Sequence, residues 1–229
     1  MKKSVSVIVS AYNEQDNIKD AIKSVLKAVN SVKAEYEIIV VDDGSTDGTL
    51  AIVEDEVKKN TRIRFIHHSQ NLGVGKCFSD GVLRAHKNYV TVFPGDNDMS
   101  SDSLIELFKL MDSAELIIAY PPNQKHRSLE RRFLSLCFTK LMNLIFRQKL
   151  KYYNGPFIAR TALIKKLKLR SQGFLIFAEF KLKLIHQGYP YKEIPFEHVG
   201  RKHGRSKAVS IYNLFDTLKT VINLRHDLN

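Results

Sequence analysis

Five apolar runs of strand length alternate with segments of helical period in the first half of the chain, and this alternation constrains the fold most strongly. The runs cover residues 4–10, 36–41, 62–67, 89–93 and 115–120. Segments 14–32, 46–60 and 73–87 lie between them and have the apolar periodicity of amphipathic helices. Strands that alternate with helices form βαβ units, so the sequence predicts an α/β fold with a mostly parallel central sheet flanked by helices.

The composition limits the class of protein. The chain has 229 residues, of which 44% are hydrophobic and 26% charged, which suits one large domain. Its formal net charge of +12 indicates an anionic partner, which is nucleic acid, a phosphorylated ligand or an acidic membrane surface. Cys77 and Cys137 lie far apart and predict a reducing compartment without disulfides. Residues 1–15 predict a first strand rather than a signal peptide, and no run approaches the ~18–20 apolar residues that span a bilayer.

Polar clusters follow four of the apolar runs, at residues 11–14, 42–48, 70–73 and 95–98. Open parallel sheets bind ligands at the carboxyl ends of their strands, which meet at one edge of the sheet. Asp, Asn and Gly also dominate ordinary turns, so each cluster by itself has a second interpretation. Four clusters on the same edge together predict a binding site there.

In the last cluster, "GDND", Asp96 and Asp98 stand two positions apart. Two carboxylates this close repel each other, so the pair is either a solvated turn or a site for a cation. Residues two apart in an extended segment share a face, so both carboxylates would reach one cation while Asn97 points away. Carboxylate oxygens are hard ligands, which favour Mg²⁺ or Mn²⁺.

Several motifs resemble one enzyme family. "VSVIVSAYNE", "IIVVDDGSTDGT", "NLGVGK" and "FPGDND", in this order, resemble the nucleotide-sugar half of family 2 glycosyltransferases, whose fold is called GT-A. This resemblance covers roughly residues 4–120. Farther along, "HRSLERRFLS" (126–135) and "RKHGRSK" (201–207) resemble the dolichol- or polyprenol-phosphate sugar (mannose) synthases of that family.

The resemblance implies a single GT-A domain over residues 1–229, with a nucleotide-sugar half (1–120) and an acceptor half (121–229). It identifies Asp96 and Asp98 with the family's DxD motif, which holds Mg²⁺ or Mn²⁺. A divalent cation neutralises the charge of the diphosphate as the glycosidic bond breaks.

The resemblance also implies which residues bind the donor. Asp42 and Asp43 are expected at the base and ribose of the nucleotide, where carboxylates accept from imide N–H and hydroxyl groups; a turn that caps the next helix is the alternative. Lys76 is expected either to meet a phosphate or to be a solvated surface residue. The expected nucleotide-sugar set is Ala11, Tyr12, Asn13, Glu14, Asp42, Asp43, Gly73, Lys76 and Asp96.

The implied acceptor is a polyprenyl phosphate, held by Arg127, Arg131, Arg132, Ser135, Arg201, Ser206 and Lys207. The segment 133–146 is apolar on nearly all sides and follows a basic start, which favours a helix at the membrane interface; a buried core helix is the alternative. The pattern of segment 208–224 predicts a second amphipathic helix, which either lies on the membrane or docks on the first. We expect a cytoplasmic protein peripherally associated with an anionic membrane surface, with a membrane protein as a further candidate partner.

Glu179, an acidic residue in an apolar run, either pairs with a nearby base or acts on an acceptor hydroxyl. With Asp96, Asp98 and Arg201 it completes the expected catalytic set. The first hypothesis is metal-dependent, inverting transfer to a polyprenyl phosphate, and the alternative is transfer to a sugar hydroxyl, as in lipopolysaccharide or capsule assembly, with Glu179 as general base. Only the charge suggests a nucleic-acid-binding domain, so no nucleic-acid partner is expected. The eight histidines form no metal-ligand pattern, and Cys77 is expected to be a small core residue.

Overall fold

The computed structural model describes residues 3–122, 128–196 and 221–228. The strands are β1 (Ser4–Ala11), β2 (Glu35–Asp42), β3 (Ile63–His67), β4 (Tyr89–Pro94), β5 (Leu116–Tyr120), β6 (Phe157–Arg160) and β7 (Tyr191–Pro195). The helices are α1 (Ile18–Ser31), α2 (Thr49–Lys59), α3 (Val74–Arg84), α4 (Ser101–Lys109), α5 (Leu129–Phe146), α6 (Thr161–Lys165) and α7 (Ile176–His186). Segment 221–228 is also helical. No helix within these ranges is long and apolar enough to cross a membrane.

All seven strands join one sheet in the order β3-β2-β1-β4-β6-β5-β7. The pairs β1–β2, β1–β4, β2–β3 and β5–β7 are parallel. Strand β6 is antiparallel to both of its neighbours, β4 and β5. Six strands therefore share one direction, which confirms the predicted mostly parallel sheet.

Apolar residues on both faces of the sheet explain why helices cover both sides. Along β1, Val7 packs into the core beneath α1 and α4, whereas its neighbour Ile8 packs into the core beneath α3 and α7. Successive side chains of a strand point to opposite faces, so a strand buried on both sides is apolar throughout. Helix α1 contributes its predicted apolar stripe to the first core, with Ile18, Ala21, Ile22, Val25 and Val29 buried.

The elements that were not predicted lack a clear period. Strand β6 has four residues, and α6 has five. Residues 176–184 of α7 are all buried, so this helix has no polar face to mark its turns. Helix α4 is short and begins at a cap, where the side chain of Ser100 accepts a hydrogen bond from the N–H of Ser103 at 3.1 Å.

Strand register brings three of the predicted clusters together. Ala11 at the end of β1 pairs with Asp42 at the end of β2. On the other side of β1, Ser10 pairs with Pro94 at the end of β4. The loops that follow these three strands therefore leave the same edge of the sheet side by side.

Candidate active site

A cavity of about 650 Å³ opens at this edge of the sheet. Its wall is made by the loops after β1, β2 and β4, by the start of α3 and by two later segments, 152–156 and 173–177. The predicted site residues that line it are Ala11, Tyr12, Glu14, Asp43, Gly73, Asp96 and Asp98.

The loop after β4 presents the two aspartates. The N–H of Gly95 donates to the carbonyl of Ser10 at 3.0 Å, and a Cβ at Gly95 would lie 2.6 Å from that oxygen, so only glycine fits against β1. The Asp96 carboxylate then accepts the N–H of Asp98 at 3.1 Å, and Asn97 has a left-handed backbone with φ of 56°. A turn, rather than the predicted extended segment, therefore places Asp96 and Asp98 at one cavity, because the hydrogen bond folds the chain back.

The donor set of this turn fits a hard divalent cation. Asp96 and Asp98 both line the cavity, and their ligand atoms are carboxylate oxygens, which Mg²⁺ and Mn²⁺ prefer. Mg²⁺ typically takes one or two protein carboxylates and completes its coordination with substrate phosphate and water. The two residues are thus sufficient on the protein side for the predicted ion.

Asp43 is held firmly at the end of β2. Its carboxylate accepts the N–H groups of Leu72 at 2.9 Å and Gly73 at 2.8 Å. It also lies 2.7 Å from Nδ1 of His68. These contacts tie the end of β2 to the loop before α3 and fix the orientation of a carboxylate that lines the cavity.

Asp42 is fully buried and does not line the cavity. Its Oδ2 lies 2.8 Å from Nδ1 of His67. Asp42 is the last residue of β2 and Asp43 is the first residue after it, and of the two only Asp43 lines the cavity. The burial of Asp42 does not favour its expected contact with the nucleotide, which stays a prediction.

Asn13 and Lys76 also point elsewhere. The side-chain oxygen of Asn13 accepts the N–H of Thr46 at 2.8 Å, so Asn13 braces the loop after β1 against the loop after β2. Lys76 lies on the first turn of α3, and its Nζ contacts Asp80 at 2.6 Å. Neither residue lines the cavity. Their expected contacts with the donor stay predictions, and in this structure both side chains make the contacts given above.

Glu179 lies on α7 and is only 2% exposed. Its carboxylate accepts the N–H of Ser171 at 2.9 Å and the ammonium of Lys183 at 2.8 Å. The N–H of Arg170 adds bonds of 3.1 and 3.2 Å to the two oxygens. Pairing with a nearby base, the first interpretation of Glu179, agrees with this arrangement. The catalytic role does not, because the carboxylate is engaged inside the protein and does not line the cavity.

Lys181, two residues farther along α7, is a functional candidate that the sequence did not reveal. It is 0% exposed, and its Nζ donates to the carbonyl groups of Tyr153 and Gly155, both at 2.7 Å. These carbonyls belong to the segment that forms one wall of the cavity. Burial lowers the pKa of Lys181 to about 7. A lysine amid apolar residues in "AEFKLKL" was the available signal.

The predicted acceptor residues within the described ranges lie on α5. Arg131 and Arg132 are exposed, Ser135 is partly exposed, and none of the three lines the cavity. Arg127, Arg201, Ser206 and Lys207 lie outside the described residues, as does most of the predicted helix 208–224.

Helix α5 exposes much of its apolar surface. Only Thr139 and Met142 of its 18 residues are buried. Leu129 and Leu144 are each 77% exposed. The exposed large apolar side chains of this helix are Leu129, Phe133, Leu134, Leu136, Leu141 and Leu144. A buried core helix, the alternative for this segment, does not describe α5.

His68 lies close to two other residues of types that bind metals, which corrects the expectation that the histidines form no metal-ligand pattern. One ligand atom from each of Asp43, His68 and Cys77 lies within 4.8 Å of the others, and all three residues are buried. Burial raises the pKa of the Cys77 thiol well above its ordinary value, so the thiol is protonated. We therefore interpret the group as a hydrogen-bonded cluster, and Cys77 as the small buried residue that the sequence predicted.

The chain is similar in sequence to two curated proteins. CsbB of Bacillus subtilis (strain 168) is 28% identical over 210 residues, which cover 89% of this chain and 61% of the relative. Dodecaprenyl-phosphate galacturonate synthase of Rhizobium johnstonii is 24% identical over 224 residues, which cover 96% of this chain and 65% of the relative. The chain therefore spans less than two thirds of the length of both relatives.

A solved structure and a family profile complete the comparison. Glucosyl-3-phosphoglycerate synthase from Mycobacterium tuberculosis, in complex with Mn²⁺, UDP and glucosyl-3-phosphoglycerate, superposes with a TM-score of 0.67 at 16% identity. The match covers 99% of this chain and 80% of the synthase, which confirms the predicted fold class. The sequence profile "Glycosyl transferase family 2" matches residues 6–168, most of the chain. On this match, the chain belongs to glycosyl transferase family 2.

Proposed function

We propose that the chain transfers a sugar from a nucleoside-diphosphate sugar to a polyprenyl phosphate, with inversion at the anomeric carbon. The observation that carries the donor half is the meeting of Asp43, Asp96 and Asp98 at one cavity on the carboxyl edge of the sheet. In this proposal, Asp43 contacts the nucleoside, and Asp96 and Asp98 contact the cation that a diphosphate requires.

Asp43 is the proposed contact of the nucleobase. An ionised carboxylate only accepts hydrogen bonds, so it suits a base that presents an N–H, such as the imide of uracil or N1–H of guanine. Cytosine and adenine present a lone pair at the equivalent ring nitrogen and are disfavoured. Tyr12 and Glu14 line the same cavity and complete the proposed donor site with Gly73.

Asp96 and Asp98 would hold the Mg²⁺ or Mn²⁺ ion. When bound, such an ion neutralises the negative charge that develops on the departing diphosphate. The turn at Asn97 supports this role because it places both residues at one cavity and holds the Asp96 carboxylate through the N–H of Asp98.

The reaction forms a bond between an acceptor oxygen and the anomeric carbon while the bond from that carbon to the diphosphate breaks, and the electron pair leaves with the diphosphate. A hydroxyl acceptor must lose a proton, whereas a phosphate is already an anion and needs no general base. Glu179, the residue expected to serve as that base, is engaged with Lys183 and backbone N–H groups. This engagement favours the phosphate acceptor.

The surface of α5 supports a lipid acceptor. Exposed leucines and Phe133 lie on the same helix as exposed Arg131 and Arg132. Apolar side chains suit acyl and prenyl chains, and guanidinium groups suit phosphate at the membrane surface. The name of the Rhizobium relative, a dodecaprenyl-phosphate galacturonate synthase, points to the same class of acceptor. We accordingly propose peripheral association with an anionic membrane.

A screen of radiolabelled UDP- and GDP-sugars with polyprenyl phosphate in detergent, with label measured in the organic phase, tests this function. The expected result is label in the lipid product for at least one donor when Mg²⁺ or Mn²⁺ is present. Label transferred only to a soluble sugar hydroxyl would contradict the acceptor assignment. Failure of every nucleotide sugar to bind or react would contradict the donor assignment.

A further inference from the structure

His68 lies directly behind Asp43, on the side away from the cavity, and is 7% exposed. Its Nδ1 is 2.7 Å from Oδ1 of Asp43, and its Nε2 is 3.1 Å from Oδ2 of Asp80. The other oxygen of Asp80 contacts Nζ of Lys76 at 2.6 Å. Four ionisable side chains thus form a continuous hydrogen-bonded row from the cavity to the surface of α3.

The row contains alternating charges. A neutral imidazole carries one N–H, so His68 donates to both carboxylates only when it is an imidazolium. The order is then carboxylate, imidazolium, carboxylate and ammonium, which leaves no buried charge without an opposite neighbour. Cys77, the remaining titratable group beside this row, is neutral because burial raises the pKa of its thiol.

The backbone N–H groups of Leu72 and Gly73 hold the same carboxylate from the loop side. His68 therefore supplies a side-chain contact to Asp43 in addition to that of Cys77, and Asp80 in turn orients the imidazole ring. The second carboxylate gives both ring nitrogens of His68 an acceptor within hydrogen-bond distance.

We propose that His68, held by Asp80, is a positioning residue for donor binding: it keeps the Asp43 carboxylate aimed at the nucleobase. The inference rests on the proposed contact between Asp43 and the base. His68 itself does not line the cavity, so it acts through Asp43 rather than on the substrate.

Two substitutions separate this role from a merely structural one. His68→Gln removes the imidazolium, so UDP or GDP binding should weaken by about ten- to a hundred-fold, the usual effect of losing a hydrogen bond to a charged group. Asp80→Asn supplies an amide N–H that can donate to Nε2, so the neutral imidazole can still donate from Nδ1 to Asp43. Nucleotide affinity of Asp80→Asn should then be independent of the protonation of His68.

The experiment measures the dissociation constants of UDP and GDP with Mg²⁺ by calorimetry, between about pH 6.5 and 8.5, where histidine titrates. Wild-type affinity should fall as pH rises, and Asp80→Asn should flatten that profile. His86→Gln is the matched control, since His86 lies beside Glu37 and Arg64 at the opposite edge of the sheet. Its profile should follow that of the wild type, and melting temperatures should show that all variants are folded.

The outcomes distinguish the inference from the function beneath it. A wild type that binds neither nucleotide would remove the proposed function itself. If the wild type binds nucleotide, two results would overturn the role of His68 alone. They are equal binding by His68→Gln, or a wild-type pH profile in Asp80→Asn. Weaker binding by a folded His68→Gln together with a flattened Asp80→Asn profile would support it.

Discussion

Replacing Lys181 with Met tests how one wall of the cavity is held. Met keeps an unbranched apolar stem but removes the ammonium that donates to the carbonyls of Tyr153 and Gly155. Each buried carbonyl left without a donor costs about 1–3 kcal/mol, and burial of the apolar end of Met offsets part of this cost. At about pH 9.5, where the lysine amine is neutral and still donates, we expect Lys181→Met to lower the free energy of unfolding by roughly 2–4 kcal/mol.

The sign of the pH dependence follows from the lowered pKa. Burial moves the pKa of Lys181 from 10.5 to about 7, against a weaker opposing effect of the Glu193 charge. The unfolded chain therefore binds more protons than the folded chain between these values, and the free energy of unfolding rises with pH in that window. The slope reaches about 1.4 kcal/mol per pH unit in its middle, and the contribution is lost as pH falls towards 7.

Urea unfolding of the wild type and Lys181→Met at about pH 7.5 and 9.5 measures this contribution, with exposed Lys192→Met as control. From the lower to the higher pH, the free energy of unfolding of the wild type should rise by roughly 2 kcal/mol more than that of Lys181→Met. Lys192→Met should behave like the wild type. If the free energy of unfolding depends on pH equally in the wild type and Lys181→Met, the conclusion that Lys181 has a lowered pKa in the folded chain is refuted.

Four further predictions concern the site and its surface. Asp96→Asn or Asp98→Asn should abolish transfer without unfolding the protein. A chelator should abolish transfer reversibly. Glu179→Gln should lower the free energy of unfolding by roughly 3 kcal/mol but leave kcat of the folded enzyme within a few-fold, because the carboxylate holds Lys183 and backbone N–H groups. The chain should float with anionic liposomes, and the floating fraction should fall as salt rises. Arg131→Lys should reduce the rate of transfer to lipid phosphate by about ten- to a hundred-fold.

Each of these predictions has a contrary outcome. Full activity in chelator would remove the metal assignment of Asp96 and Asp98. A fall in kcat of ~10²–10⁴ for a stably folded Glu179→Gln would restore the general base and with it a hydroxyl acceptor. Equal flotation with neutral and anionic vesicles would remove the electrostatic part of membrane association, and an inert Arg131→Lys would remove its phosphate contact.

The sequence was sufficient for the elements with a clear period. All five strands predicted in the first half formed at nearly the predicted bounds, because their apolar runs pair in the sheet and, except for the edge strand β3, are largely buried on both faces. The loops at their carboxyl ends then followed from parallel pairing, which is why Asp43, Asp96 and Asp98 meet at one cavity.

The direction of individual side chains did not follow from the sequence. Asp42 and Asp43 are adjacent residues of the same type, and the position at which β2 ends determines which of them faces the cavity. Glu179 and Lys181 are two ionisable residues in one apolar segment. Their roles depend on segments 170–171 and 153–155, which contact α7 only in the folded chain. Tertiary partners of this kind leave no periodic signal in the sequence.

The most direct test of the proposed reaction compares two acceptors that differ in one group. Purified protein is mixed with Mg²⁺ and a radiolabelled nucleotide sugar that was active in the donor screen. The acceptor is either polyprenyl phosphate or the polyprenol of the same chain length, and the label in the lipid is counted. We predict label in polyprenyl phosphate only, and none with Asp96→Asn. Equal or preferential labelling of the polyprenol, whose hydroxyl requires a general base, would contradict the proposal that the acceptor is a phosphate.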